Sequence, residues 1–141
     1  MMNKIYPCLW FDGQAREAAE FYCSIFPNAK ILSDTGISVH FELNGQTYMG
    51  LNGGDVFKFN EAVSFVITCK DQQEIDYFWY KLISDGGSEG NCGWCKDKFG
   101  LSWQVIPSIL GELMSHPEKG KRVVQAFMKM KKFDIETLEN V

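Results

Sequence analysis

The chain of 141 residues is long enough for one domain, and a hydrophobic content of 45% is enough for a substantial core. A net charge of -4 and a pI near 5.2 do not favour a nucleic-acid-binding protein. No apolar run approaches the ~20 residues that a membrane span needs, and the first residues lack the apolar core of a signal peptide. The cysteines do not have the spacing of a disulfide scaffold, so we expect a cytoplasmic protein with reduced thiols.

The first half of the chain is predicted to form a strand, a helix and three further strands. Ile5 to Phe11 is short and aromatic-rich, as in a buried strand. Gln14 to Phe26 has apolar residues at helical spacing, and Asp12 stands where an N-cap is expected. Asn44-Gly45 predicts a two-residue hairpin turn, because both positions need a positive φ. The three extended runs are Lys30 to Ser33, Ser38 to Leu43 and Gln46 to Leu51.

The second half repeats this order. Ser64 to Cys69 alternates like a strand, and Asp71 is predicted to cap an amphipathic helix that ends before Gly86-Gly87. The same separation lies between Asp12 and Asp71 as between Gln14 and Gln73. We therefore predict two βαβββ modules, residues 1–56 and 57–108, and a helical tail, residues 109–141, in a single domain. The last two predicted strands of the second module are Asn91 to Cys95 and Leu101 to Ile106, joined by a turn at Lys96 to Gly100.

Three motifs in this arrangement resemble a known family. They are CLWFDGQAREAAEFY from Cys8, LNGG from Leu51, and CGW-x-KDKFG-x-SWQ-x-x-P from Cys92. On these motifs and the duplicated order, the chain resembles the PhnB-like branch of the vicinal oxygen chelate superfamily. Glyoxalase I, bleomycin and fosfomycin resistance proteins and extradiol dioxygenases belong to the same superfamily. The resemblance implies an α+β fold of two βαβββ modules, and members of the branch carry the label 3-demethylubiquinone-9 3-methyltransferase.

The resemblance also implies where a catalytic metal would be held. Metal-dependent members bind a divalent ion through His or Glu side chains on the first and last strands of the modules, and the metal polarises substrate oxygens. In this chain those positions fall near Pro7, near Gly50, at Ser64 and at Gln104, and none is a good metal ligand. We therefore predict no bound metal and no other cofactor, and a metal-dependent enzyme remains an alternative.

A pocket without a metal is predicted instead. Alternation in Ser64 to Cys69 and in Leu101 to Ile106 places polar and apolar side chains on one face and sends Phe65, Ile67, Trp103 and Val105 towards the helices. Aromatic residues are plentiful enough to wall a ligand site with a few polar groups. The alternative is that these residues are ordinary core or rim groups. The ligand-pocket candidates are Ser64, Val66, Thr68, Ser102, Gln104, Ile106, Tyr48, Trp94 and His40.

The histidines give little support to a catalytic base. His40 and Glu42 would share one face of a strand and form a base and its orienting partner, but a solvated polar face is the simpler interpretation. His116 precedes Pro117 in a loop. No catalytic residue is therefore predicted.

The tail after Pro107 is predicted to be helical. Pro117 to Lys132 places Val123, Val124, Phe127 and Met128 on one face, with basic residues largely off it. Docking of that face on its own domain or on a second subunit is favoured over binding to a membrane or to nucleic acid. Superfamily members commonly dimerise, so we expect a homodimer.

The pair Cys92 and Cys95 resembles a redox or zinc motif only superficially. No helix follows to lower a thiol pKa, and no second cysteine pair or nearby histidine completes a zinc site. In an extended strand the two would stand about 10 Å apart, beyond the ~7 Å limit for a disulfide. We interpret Cys95 as a small hydrophobic residue.

Two classes of function stay open. One is a protein that sequesters a small molecule, and the other is a metal-independent enzyme acting on a small oxygenated or aromatic compound. A structural dimer with a vestigial cavity is a third. Methyl transfer, which the branch label suggests, usually needs a glycine-rich turn for the nucleotide. The turn from Phe11 to Gln14 has a single glycine, so methyl transfer is kept as an alternative.

Overall fold

The computed structural model describes residues 3–141 of the chain. They form two compact units, the first ending at Phe59 and the second spanning Asn60–Val141. Within the described residues, no helix is both long and apolar enough to cross a membrane.

The first unit is a four-stranded mixed sheet with one helix. The sheet order is β1-β4-β3-β2, with β1 and β4 parallel and the other neighbours antiparallel. Asn44 and Gly45 have φ of 51° and 86°, so the predicted hairpin turn is confirmed. The elements are β1 Cys8–Phe11, α1 Ala15–Ile25, β2 Ala29–Asp34, β3 Ser38–Leu43 and β4 Gln46–Asn52.

The helix α1 packs on one face of this sheet and forms the core of the first unit. Its buried residues are Ala15, Ala18, Ala19, Tyr22 and Ile25, opposite Leu9, Phe11, Val39, Phe41 and Leu43. The prediction that Asp12 caps α1 was wrong. Gln14 occupies the cap position without a side-chain hydrogen bond, and the Ala15 amide donates to Asn52 Oδ1 at 2.9 Å. A side chain from a distant strand therefore satisfies the helix start.

The second unit repeats the order strand, helix and three strands, as predicted. Its sheet order is β5-β8-β7-β6, with β5 and β8 parallel. Asp71 caps α2 as predicted, accepting from the Glu74 amide at 2.9 Å. The buried face of α2 consists of Ile75, Phe78, Trp79 and Leu82. The elements are β5 Ser64–Cys69, α2 Gln72–Ile83, β6 Ser88–Glu89, β7 Trp94–Lys96 and β8 Ser102–Pro107.

The segment before β7 is a turn and not the predicted strand. Cys92 and Gly93 have φ of 57° and 84°, in the left-handed region that an extended strand does not use. Their amides donate to the carbonyls of Met130 and Lys131, each at 2.8 Å. Cys92 and Cys95 are both free thiols. The Cys-Gly-Trp motif thus forms the turn on which the C-terminal tail docks.

The tail packs on the second unit, to which it belongs. It forms α3 Leu110–Met114, α4 Gly120–Phe127 and α5 Ile135–Glu139, so the predicted Pro117 to Lys132 helix is shorter than expected. Phe133, between α4 and α5, is 1% exposed. The Gln72 side chain donates to the Phe133 carbonyl at 2.9 Å and accepts from the Ile135 amide at 2.8 Å. These contacts fix the tail against the start of α2.

Candidate functional site

The face of the second sheet opposite α2, which we call the open face, carries most of the predicted ligand-pocket residues. The parallel register pairs Ser64 with Ser102, Val66 with Gln104 and Thr68 with Ile106. Trp94 and Lys96 of β7 pair with Gln104 and Ser102 and lie on the same face. Phe65, Ile67, Trp103 and Val105 point the other way, as the alternation predicts.

The polar groups of the open face differ in how they are satisfied. Gln104 Nε2 donates to Ser64 Oγ at 2.9 Å. Ser102 is 0% exposed, and its Oγ has no hydrogen-bond partner. Leaving a buried hydroxyl unpaired costs about 1–3 kcal/mol. The Ser102 hydroxyl is therefore an unsatisfied polar group of the open face.

A cavity of about 290 Å³ lies at the Ser102 end of this face. Lys96 forms an ion pair there with Glu61, which comes from the irregular segment before β5. The hydrogen bond and the charge of Lys96 hold the pKa of the Glu61 carboxyl below its usual value. The cavity lining thus combines one lysine, two carboxylates and small hydroxyl groups with an aromatic residue. Its lining includes Glu61, Ser88, Glu89, Trp94, Lys96 and Ser102.

Asp97 fixes the position of Lys96 relative to Ser102. Its carboxylate, in a residue 2% exposed, accepts from the amides of Phe99 and Leu101 at 2.9 and 3.1 Å and from Trp103 Nε1 at 2.9 Å. These bonds close the turn between β7 and β8 and so set the register that places Lys96 beside Ser102. The Lys-Asp-Lys-Phe-Gly motif is thus a register-setting turn.

The buried thiols of this unit are not nucleophiles at neutral pH. Burial, with a smaller contribution from the Asp97 charge, raises the pKa of Cys95 to about 12. Burial and the nearby charges of Glu74 and Asp71 raise the pKa of Cys69 to about 12 as well. Both thiols remain protonated and behave as small apolar groups.

The structure brings together only some of the predicted pocket residues. Trp94 and Ser102 line the cavity, and Ser64, Val66, Thr68, Gln104 and Ile106 continue the same face. Val66 is 56% exposed. Tyr48 and His40 belong to the first unit and are not among the residues that line this cavity.

Tyr48 and His40 lie on opposite faces of the first sheet. Tyr48 pairs with Phe41 and stacks on it with ring centroids 5.5 Å apart, on the side covered by α1. Burial raises the pKa of the Tyr48 hydroxyl. His40 is next to Ser33, with Nδ1 and Oγ 3.5 Å apart, and contacts the edge of Tyr6.

The residues at the superfamily's metal positions do not fit a divalent metal. Gly50 has no side chain and packs against Ala15, while Ser64 and Gln104 are hydrogen-bonded to each other. A neutral amide and a hydroxyl are a weak donor set beside the His and Glu ligands of the superfamily. Across residues 3–141, no group of three or more His, Cys, Asp or Glu side chains is placed to hold a metal ion.

Sequence reasoning missed two charged residues of the cavity. Lys96 was assigned to a turn, although it stands two positions after Trp94 and alternation would have placed both on one face. Glu61 lies in an irregular segment, and no local pattern indicates that it meets Lys96.

The comparisons with known proteins agree with this arrangement. A family model described as 3-demethylubiquinone-9 3-methyltransferase matches residues 3–106. A PhnB protein of Bacillus cereus, itself described as a 3-demethylubiquinone-9 3-methyltransferase, is 33% identical, with a TM-score of 0.67 over 74% of this chain and 99% of that one. No curated protein matches the sequence.

More distant solved structures share the fold alone. Protein PA1353 of Pseudomonas aeruginosa is 18% identical, with a TM-score of 0.60 over 74% of this chain and 97% of that one. The fosfomycin resistance protein FosX of Listeria monocytogenes is 12% identical, with a TM-score of 0.57 over 79% and 98% of the two chains.

Proposed function

Because the chain belongs to the 3-demethylubiquinone-9 3-methyltransferase family, a PhnB-like group of the vicinal oxygen chelate superfamily, we propose that it binds a small oxygenated or aromatic molecule in the cavity of its second unit. The observation that carries this proposal is the Ser102 hydroxyl, which is fully buried at the cavity without a hydrogen-bond partner. A ligand oxygen that displaces the groups covering this hydroxyl would satisfy it. We further propose that the protein acts in the cytoplasm as a homodimer.

The composition of the cavity supports a small organic ligand. Its volume of about 290 Å³ is near the lower end of the range for small-molecule sites. Trp94 supplies aromatic surface, and Ser88, Lys96 and Ser102 supply separate polar groups. Binding sites for small molecules commonly have this combination of apolar wall and few polar groups.

The interactions of the titratable groups that line the cavity favour binding of a ligand over catalysis of a reaction on it. Glu61 is paired with Lys96, and Glu89 accepts from the buried Trp79 indole at 3.1 Å. Cys95 is held protonated. None of these groups is placed as a free general base, so binding without turnover is the primary proposal and a metal-independent reaction is the alternative.

Methyl transfer is a second candidate because the family description names it. The connection between β1 and α1 holds one glycine, Gly13, and no glycine-rich turn of the kind that cradles a nucleotide. Titration of S-adenosylmethionine by calorimetry tests this candidate. We expect no heat of binding, and a saturable heat would favour the methyltransferase.

A melting-temperature screen with small oxygenated and aromatic compounds tests the main proposal. A ligand at 100 times its Kd stabilises a protein by about 2.7 kcal/mol, and this raises the melting temperature by a readily measured amount. We expect the shift to be lost when Trp94→Leu is tested, and mass spectrometry should find no product with any binding compound. If a compound raised the melting temperature of Trp94→Leu as much as that of the unsubstituted protein, its site would lie elsewhere and the proposal would be contradicted.

A further inference from the structure

We infer that the cavity selects a small carboxylate, which binds Lys96 and the Ser102 hydroxyl by displacing Glu61. This inference rests on the proposed function and specifies its ligand class. Lys96 and Ser102 are direct partners across β7 and β8, so both residues line the cavity at one point of the sheet.

The ion pair between Lys96 and Glu61 indicates the charge of the ligand. The lysine ammonium binds one carboxylate in the structure, and that carboxylate is supplied by the chain itself. Glu61 therefore occupies the place that a ligand carboxylate would take. Phosphate groups are often bound by the two parallel N–H donors of an arginine. The cavity lining offers a lysine ammonium instead, which suits a singly charged carboxylate.

Glu61 is placed so that it can leave. It lies in a short turn held by the Ala62 amide, which donates to Asn60 Oδ1 at 2.8 Å, and its side chain is 61% exposed. An exposed ion pair contributes little to stability, because water screens both charges, so exchanging one carboxylate for another costs little. The structural cost of displacing Glu61 is correspondingly small.

Ser102 provides the gain that Glu61 does not. Its Oγ is unpaired while Glu61 is in place, so Glu61 leaves the buried hydroxyl unsatisfied. A hydrogen bond between a hydroxyl and a charged group is stronger than one between two neutral groups. A ligand carboxylate with one oxygen on Lys96 and the other on Ser102 makes both contacts, and an aromatic body would lie against Trp94.

The test compares aromatic acids with their neutral amides. Benzoate and 2-naphthoate are titrated beside benzamide and 2-naphthamide by protein NMR at low salt, with backbone and indole signals of residues 88–104 as the readout. We expect each acid to bind roughly tenfold or more tightly than its amide, because a charge-assisted contact is lost in the amide. Affinity for the acids should fall as salt is added.

Two variants and a control separate the contributions of Lys96 and Glu61 to acid binding. Lys96→Met keeps the side-chain length and should abolish the preference for acids. Glu61→Gln removes the competing carboxylate and should tighten acid binding roughly twofold to fivefold, a gain of the size expected for an exposed pair. Glu112→Gln, on the exposed side of α3, is the matched control and should leave binding unchanged.

Equal affinity for acids and amides, or no binding of either acid, would overturn the carboxylate inference. Weaker acid binding by Glu61→Gln would show that Glu61 assists binding and would overturn the displacement. The broader melting screen tests the proposed function separately. A neutral compound that binds at Trp94 would support a binding site in the cavity and contradict its selectivity for carboxylates.

Discussion

Ser64 and Ser102 are neighbours across two strands, yet their hydroxyl groups have opposite energetic roles. Ser64 Oγ accepts from the Gln104 amide, whereas Ser102 Oγ is buried without a partner. The first hydroxyl stabilises the folded protein, and the second, left unpaired, destabilises it. Binding groups are often held at such a cost to stability.

Substitution of each serine by alanine should show this difference. Ser64→Ala is expected to lower the free energy of unfolding by about 1 kcal/mol, because the Gln104 amide loses its acceptor. Ser102→Ala should leave the unfolding free energy unchanged or raise it by up to about 1 kcal/mol, because an unsatisfied buried hydroxyl is removed. Urea unfolding measures both. A loss in Ser102→Ala equal to that in Ser64→Ala would mean that its hydroxyl is already bonded.

The two helices that pack on the sheets begin in different ways. Asp71 caps α2 through the Glu74 amide, and the Glu74 carboxylate accepts in return from the Lys70 amide at 3.1 Å. The start of α1 depends on Asn52, whose amide group also donates to the Gly36 carbonyl at 3.1 Å. A local cap serves α2, and a distant strand residue serves α1.

Paired substitutions of the two aspartates test this difference. Asp71→Ala should lower the free energy of unfolding by about 1 kcal/mol, the usual cost of a lost N-cap. Asp12→Ala, at the corresponding place before α1, should change it by less than about 0.5 kcal/mol, because it removes no helix cap. Thermal or urea unfolding gives both values, and equal losses would contradict the assignment of the cap to Asn52.

The C-terminal tail belongs to the second unit and is part of its core. Phe133 contacts Gly93, whose positive φ and missing Cβ let the phenyl ring approach; an added Cβ would come within 2.7 Å of two ring carbons. Lys132 pairs with Asp76 at 2.6 Å and lies over the Tyr80 ring. Burial opposes the charge of Asp76, but hydrogen bonds from Lys132 and Gln72 outweigh it and lower the pKa of that carboxyl.

Removal of the Phe133 side chain should therefore be severe. Phe133→Ala is expected to lower the free energy of unfolding by about 3–5 kcal/mol, because a fully buried aromatic ring is lost. Met128→Ala is the control, since Met128 is 64% exposed and should cost less than about 0.5 kcal/mol. Urea unfolding compares the two. A small effect of Phe133→Ala would show that the tail does not dock on the second unit.

Local patterns were sufficient for most of the elements. The alternation of Ser64 to Cys69, the Asn44-Gly45 turn and the Asp71 cap each depend on residues within a few positions, and all appear as predicted. Both βαβββ modules follow from such patterns, because strand alternation and helical periodicity are set by neighbours along the chain. Ser102 was predicted as a pocket residue from the alternation of its strand, whereas Trp94 was predicted only as an aromatic residue able to wall a pocket.

Contacts between distant residues decided the rest. Asn52, and not Asp12, accepts the hydrogen bond at the start of α1. Cys92 lies in a turn whose amides bind carbonyl groups of the tail. Tyr48 lies on the helix-covered face because it pairs with Phe41. Lys96 meets Glu61 only because the sheet register and the segment before β5 bring them together. The sequence alone determined most of the elements and which side chains share a face of the strands Ser64–Cys69 and Ser102–Pro107. Which side chains meet, and that the Ser102 hydroxyl is buried without a partner, depends on long-range packing that no local periodicity encodes.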